Sequence, residues 1–382
     1  MGEYKRRGRG EGSIYLLPNG AWRGTVEIGW ANGRRQRKTV TRATRTEVSK
    51  ELRRLVDAAA EGQIPVGRAP TFGEWLETYL REVAALRVRP STLARYRQEV
   101  RLYIKPGLGR HRLDVLRPAH ISSFYREQGQ RLSAGSVRRL HALIRRSLTI
   151  AVRWGLITSN PALLVEPPAL GHHEIEPFSL EEARRFLNAL RGHRLEARWV
   201  IALALGLRQG EVLGLRWTDV DLDAGVLRVN RALQKQSGGA LTLVEPKTAR
   251  SRRAVPLPQS VVDALKARRS EQDAERHKAG ALWHDAYGLV FTTAVGTPVH
   301  PRNDHRSFRL ITDRAGLRRV RVHDLRHTTA TLLLAQGVPA RVVMEILGHS
   351  QISVTLNTYS HVASDLARAA TVSIEEALWN NS

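Results

Sequence analysis

In the stretch VHDLRHTTA (322–330), His323 and His327 stand four residues apart around Arg326. On a helix this spacing turns both imidazoles to one face, as two ligands of a zinc ion would need. Arg326 is a permanent cation that opposes a metal and grips a phosphate instead. The stretch alone leaves both chemistries open. Three further stretches carry reactive types. In GLRQGEVLGL (206–215), an expected helix with Leu205, Val212, Leu213 and Leu215 toward the core puts Arg208 and Glu211 on a neighbouring face, as an ion pair or as part of a site. Lys247 ends a strand in EPKTARSRRAVPL, in a chain with only eight lysines. An ammonium can give up a proton where a guanidinium cannot, so Lys247 is a candidate general acid, a claim that Lys235 shares. LGHSQISVTLNTYSHV (347–362) supplies His349 and, ten residues on, Tyr359, a possible nucleophile toward phosphorus. Tyr287 opens an apolar run and is read as packing.

These groups need elements to position them. The opening segment reads as three short strands with turns at Pro18-Asn19-Gly20 and Ala31-Asn32-Gly33, followed by a helix with Val48, Leu52, Leu55 and Ala59 at helical spacing. Trp22, Val26, Ile28 and Trp30 alternate onto one strand face and Arg23, Thr25 and Glu27 onto the other, a polar face suited to a DNA groove. Residues 62–70 form a linker by their Gly and Pro content. Thr71 and Glu74 form an expected capping box, and helical patterns recur at about 90–105, 118–129 and 135–155. In the last of these Arg138, Arg139, Arg145 and Arg146 form a basic stripe beside an apolar one that includes Leu140 and Leu143. Residues 167–177 form a second linker, and Ser179 and Glu182 open another helix. Beyond it the pattern is mostly helical, broken by three strand-like pieces: VLRVNRAL, ALTLVEPK and RRAVPL. The expected architecture is multidomain α+β. It comprises a three-stranded sheet with one helix (1–64), an all-α domain (65–170), and a mainly α domain with a small antiparallel sheet (171–382).

The charge points to a polyanion. The chain carries 61 Lys and Arg against 36 Asp and Glu, a net charge of +25, and the basic excess concentrates before residue 170. Nucleic acid is the expected partner, against the alternatives of ribosome-like basicity or arginine-rich codon usage. With no cysteine, disulfides and thiolate metal sites are excluded. No apolar run is long enough to span a membrane, and no secretion signal opens the sequence, so a cytoplasmic location is expected.

GLRQGE, the lysine of the strand turn, HDLRH, LGHS and the late tyrosine of NTYSH, in that order, resemble the tyrosine site-specific recombinases, in particular phage-type and integrative-element integrases. The resemblance covers essentially the whole chain. It implies that residues 1–64 bind arm sites, 65–170 bind core DNA and 171–382 catalyse. It implies that Arg208 and Arg326 hold the non-bridging oxygens of the scissile phosphate, that His323 is base or hydrogen-bonding partner of the nucleophile, and that His349 donates another hydrogen bond. Tyr359 attacks to give a 3′-phosphotyrosine, Lys247 protonates the leaving 5′-oxygen, and Glu211 supports the site. No metal or other cofactor is implied, and His327 becomes a packed structural histidine. The partners implied are double-stranded DNA at core and arm attachment sites, a homotetramer on synapsed DNA, a host bending protein and a directionality factor, in the bacterial nucleoid. The tail SIEEALW (373–379) is expected to dock on a neighbouring protomer or on its own domain. The alternatives are a type IB topoisomerase-like enzyme and a non-catalytic DNA-binding regulator.

Overall fold

The computed structural model describes residues 13–31, 34–60, 69–171, 176–236, 238–245 and 252–348. Lys247, His349, Tyr359, the turn at Asn32-Gly33, the linker up to Arg68 and the tail 373–379 lie outside the described residues. The chain divides into two compact units, Met1–His172 and His173–Ser382.

The first unit begins with an antiparallel meander, β1 (Ser13–Leu16), β2 (Trp22–Ala31) and β3 (Arg34–Arg42), followed by α1 (Arg45–Ala60). Trp22 and Val26 of β2 face the helix, and Val26 is buried with Val48, Leu52 and Leu55. Gly24 shares that face. A Cβ there would overlap Val48 Cγ1 and lie 2.7 Å from Leu52 Cδ1, so sheet and helix meet through bare backbone. On the opposite face Arg23 Nε donates to Thr41 Oγ1 at 3.3 Å and the hydroxyls of Thr25 and Thr39 meet at 3.1 Å. The register with β3 shifts between Glu27 and Gly29, the mark of a bulge; the side chains of Ile28 and Trp30, expected on the same face as Trp22, lie outside the described ones.

Four helices follow: α2 (72–87), α3 (90–108), α4 (Pro118–Gly129) and α5 (Ala134–Arg153). The capping box that opens α2 forms as its sequence prescribes, with Thr71 N–H donating to Glu74 Oε2 at 2.7 Å and Glu74 N–H to Thr71 Oγ1 at 3.2 Å. α2 and α3 each contain a π-helical turn, Tyr79–Ala84 and Val100–Ile104. The shared core contains Phe72, Trp75, Tyr79, Ile104, Phe124, Leu140 and Leu148. Trp75 Nε1 donates to Ser147 O at 3.1 Å, and Tyr125 Oη meets His141 Nδ1 at 2.9 Å, so both of these buried polar atoms have a partner. α5 buries Val137, Leu140, His141, Ile144 and Leu148 and exposes Arg138, Arg139, Arg145 and Arg146, the two stripes its spacing prescribes.

The second unit holds α6 (Leu180–Ala189), α7 (Glu196–Ala204), α8 (Gln209–Leu213), α9 (Gln259–Ala279), α10 (Pro301–Arg314), α11 (Asp324–Ala335) and α12 (Ala340–Leu347). Its strands are β4 (Val220–Asp221), β5 (Val226–Val229), β6 (Ala232–Lys235), β7 (Leu241–Val244) and β8 (Arg253–Pro256). The piece read as one strand, VLRVNRAL, is two. β5 joins β4 and β8 in an antiparallel sheet, and β6 pairs with β7 alone. The break falls at Asn230, whose amide donates to Asp219 Oδ1 at 2.9 Å and so draws the chain out of extended pairing. α7 is the spine of the unit. It gives Trp199, Ala202 and Leu203 to an aromatic core with Phe178, Phe186, Phe308 and Leu325, and Ala197 and Ile201, with Leu205 just past its end, to a second core with Val212, Leu227, Val255 and Phe291.

Candidate active site

Arg208 and Glu211 do not share a helix face, because α8 is shorter than expected and begins at Gln209. After α7 ends, Gly206 takes φ +60°, which turns the chain and leaves Arg208 in extended conformation as the N-cap. Glu211, three residues on, accepts from Arg208 twice: from its backbone N–H at Oε2 (3.1 Å) and from Nη1 at Oε1 (2.7 Å). The second amino group, Nη2, donates to Gly348 O at 3.2 Å. An arginine that would wander on the surface is thus held at three points, with its side chain 38% exposed.

Arg326 reaches the same turn from α11. Its side chain is buried, and Nη1 donates to Gly206 O at 2.8 Å. Gly206 therefore joins the two arginines, two residues before one and hydrogen-bonded to the other. A Cβ on it would overlap Leu347 Cδ2 and lie 3.2 Å from Thr329 Cβ. Two threonines fix α11 against the rest of the unit. Thr329 Oγ1 donates to Leu203 O at 2.6 Å, and Thr328 Oγ1 accepts from the Phe178 N–H at 3.0 Å.

Below Arg208 lies a group that the sequence reading passed over. Arg253, the first residue of β8, donates from Nη2 to Glu211 Oε2 at 3.0 Å and from Nε to Ile346 O at 2.7 Å. Its side chain is 7% exposed and that of Glu211 6%. Burial alone would raise the Glu211 carboxyl, but Arg253 and Arg208 together hold it below the ordinary carboxylate range. The signal was present in RAVP: period two places Arg253 on the same face as the buried Val255. A second internal pair had no such signal. Arg198 and Asp304 are fully buried and joined by two hydrogen bonds, Nε–Oδ1 at 2.6 Å and Nη2–Oδ2 at 2.5 Å. Gln209 donates to Asp304 Oδ2 at 2.7 Å and so ties the first residue of α8 to that pair.

His323 is the N-cap of α11. The residue is exposed, and its pKa is lowered by desolvation first, then by the charges of Arg326 and Arg208. At neutral pH the imidazole is uncharged and able to accept a proton. The His327 ring meets it edge to face at 5.2 Å, and burial followed by the His323 charge pushes His327 down to about 4. Among the described residues no group of three or more His, Asp and Glu side chains could hold a metal ion. What gathers here is two arginines and a neutral histidine, an arrangement for a phosphate oxyanion beside a proton acceptor. Arg208, Glu211, His323 and Arg326 are brought together; Lys247, His349 and Tyr359 lie outside the described residues.

Known proteins align with this site. A family model described as Phage integrase family matches residues 178–365, which include all five motif stretches, and one described as Phage integrase, N-terminal SAM-like domain matches residues 71–127. An integrase of Saccharopolyspora erythraea is 31% identical, over 98% of this chain and 98% of the relative. A XerC-like tyrosine recombinase of Caldanaerobacter subterraneus subsp. tengcongensis is 34% identical, over 89% and 92%. In fold, the chain is similar to the Tn1549 transposon integrase in complex with a circular intermediate DNA, with a TM-score of 0.68, 21% identity and coverage of 80% of this chain and 100% of that one. A lambda integrase tetramer bound to a Holliday junction gives a TM-score of 0.57 at 16% identity, over 92% and 96%.

Proposed function

The chain belongs to the phage integrase family of tyrosine recombinases, and from that premise we propose that Arg208, Lys247, His323, Arg326, His349 and Tyr359 cleave and rejoin DNA at the attachment sites of a mobile element. The protein is a site-specific DNA recombinase. Tyr359 Oη attacks the scissile phosphorus, its proton passes to His323, and a 3′-phosphotyrosine forms as the bond to O5′ breaks. Lys247 gives a proton to O5′, leaving a 5′-hydroxyl. Negative charge that builds on the non-bridging oxygens falls to Arg208, Arg326 and His349. The reverse attack, by the 5′-hydroxyl of a partner strand, restores a phosphodiester and releases Tyr359. One ester replaces another at each exchange, so no nucleotide hydrolysis is needed.

The observation that carries this reading is the convergence of Arg208 and Arg326 on the turn at Gly206, the first two residues after it and bonded to Gly348 O, the second bonded to Gly206 O, with His323 held below its ordinary pKa by desolvation and then by the charges of both. Residues 1–64 engage arm sites, 65–170 the core site, and 171–382 carry the chemistry on a homotetramer that passes through a Holliday junction, as in the lambda integrase assembly. A host bending protein and a directionality factor complete the set of partners, and the working location is the nucleoid. No helix of the described residues is long and apolar enough to cross a membrane.

The test uses a nicked core-site DNA, recovered from direct repeats that flank the gene. The wild type forms a protein–DNA species that survives SDS, with or without EDTA. Tyr359→Phe forms none, and its persistence would mean another nucleophile. Arg326→Ala keeps DNA binding and cleaves about 10²–10³-fold more slowly.

A further inference from the structure

Arg253, Glu211, Arg208 and Gly348 form a closed ring. Arg253 Nη2 donates to Glu211 Oε2 (3.0 Å), Arg208 Nη1 to Glu211 Oε1 (2.7 Å), and Arg208 Nη2 to Gly348 O (3.2 Å). Arg253 packs close against Gly348, where a Cβ would come within 2.9 Å of Arg253 Nη1, and the φ of +68° at Gly348 ends α12 in the left-handed conformation. Arg253 also donates from Nε to Ile346 O (2.7 Å), in the last turn of α12. One guanidinium thus holds both the carboxylate that aims Arg208 and the helix end whose carbonyl receives it.

We infer that Arg253 is a positioning residue for the strand-cleavage step: through Glu211 and the end of α12 it fixes the guanidinium of Arg208 against the non-bridging oxygens of the scissile phosphate. This rests on the recombinase reading of the same site. The Arg253 side chain is itself only 7% exposed and holds Glu211 and Ile346, so it acts on the phosphate through Arg208. Its fork geometry is the reason the residue is arginine. Lysine carries the same charge and three donors on a single nitrogen, but lacks the rigid spacing by which Nε reaches Ile346 O while Nη2 reaches Glu211 Oε2. The alternative, that Arg253 only neutralises a buried carboxylate, predicts that lysine serves equally well. Glu211 lies below the ordinary carboxylate range with both arginines contributing, so it remains charged while it holds Arg208.

Single-turnover cleavage by the full-length protein tests the assignment on three core-site DNAs: natural phosphate, a methylphosphonate at the scissile position, and a 5′-bridging phosphorothiolate. The methylphosphonate carries no charge on its non-bridging atoms, so it has least need of Arg208. The phosphorothiolate keeps those oxygens but expels a thiolate that needs no proton. Arg253→Lys is expected to bind DNA as the wild type does and to cleave natural DNA about a hundredfold more slowly, the scale of a misplaced catalytic group. Most of that loss should vanish on the methylphosphonate and persist on the phosphorothiolate. Arg253→Met, which tolerates burial, should show the same pattern even if its Tm is lower. An equal loss on all three substrates means a structural role and overturns the inference, as does wild-type activity of Arg253→Lys. Loss that vanishes on the phosphorothiolate alone would place the effect at leaving-group protonation and overturn it too. Failure of the wild type to form a covalent adduct on any of the three would instead remove the recombinase reading on which the inference stands.

Discussion

At the scale of single residues, the site is tuned by which groups are forbidden to charge. His323 would ordinarily titrate near 6.5, but desolvation and then the fields of Arg326 and Arg208 disfavour its protonated form. The sign follows directly: a depressed pKa keeps the ring neutral over the whole neutral range and protonates it only on the acid side of 6.5. Cleavage measured on a phosphorothiolate substrate, whose thiolate leaving group needs no general acid such as the one proposed for Lys247, should therefore hold level from pH 8 down to about 6.5 and fall only below it. Arg208→Ala removes one of the depressing charges, so the fall should move to higher pH. A break that stayed in place would mean that His323 does not set it. Neither the lowered pKa nor the central place of Gly206 can be read from VHDLRHTTA and GLRQGE alone. Both depend on a burial and a 2.8 Å bond across 120 positions of chain, from Arg326 to Gly206.

At the scale of elements, α8 is only five residues long and cannot hold itself in place. It is anchored at one end by Gln209, which donates to Asp304 Oδ2, and Asp304 is held by Arg198 in a pair that is 0% and 1% exposed. Asp304→Ala would strand a buried guanidinium, so urea unfolding should show a loss of about 3–5 kcal/mol. Trp199 reports it directly, since the Arg198 guanidinium lies 3.6 Å from the centroid of its ring. Replacing both partners with apolar residues of similar volume, Arg198→Met with Asp304→Leu, should recover most of the stability. Cleavage should stay impaired, because Gln209 has lost its carboxylate; full recovery of rate would show that the anchor is dispensable. What the sequence made legible at this scale is whatever depends on neighbours in the chain. The capping boxes at Thr71 and Ser179, the two stripes of α5 and the strand that carries Arg253 are of this kind. Hidden from it were contacts between distant positions, such as Arg198 with Asp304. Local departures such as the bulge after Glu27 and the break at Asn230 were missed as well, since one extra residue or one side-chain hydrogen bond suffices to make them.

At the scale of the whole molecule, net charge is a poor guide to where DNA is gripped, because many cations are spent internally. The second unit commits Arg194, Arg198, Arg216, Arg253, Arg268 and Arg321 to carboxylates of its own. The first unit is left with the larger surplus, 32 Lys and Arg against 14 Asp and Glu in residues 1–172, compared with 29 against 22 in residues 173–382. On α5 that surplus takes a definite shape: Arg145 and Arg146, with Arg87, Arg153 and His141, line a cleft of about 460 Å³. Each arginine that neutralises a phosphate releases a counterion, so affinity for core-site DNA should fall linearly with the logarithm of salt concentration. Arg145→Ala with Arg146→Ala should weaken binding across all sequences and make that slope shallower by about 2. The rate of cleavage by bound protein should be unchanged, because neither residue belongs to the ring around Arg208. An unchanged salt slope would move the phosphate contacts to another face of the helical bundle, and a slowed cleavage step would tie the grip on DNA to the chemistry in a way that α5 alone does not explain.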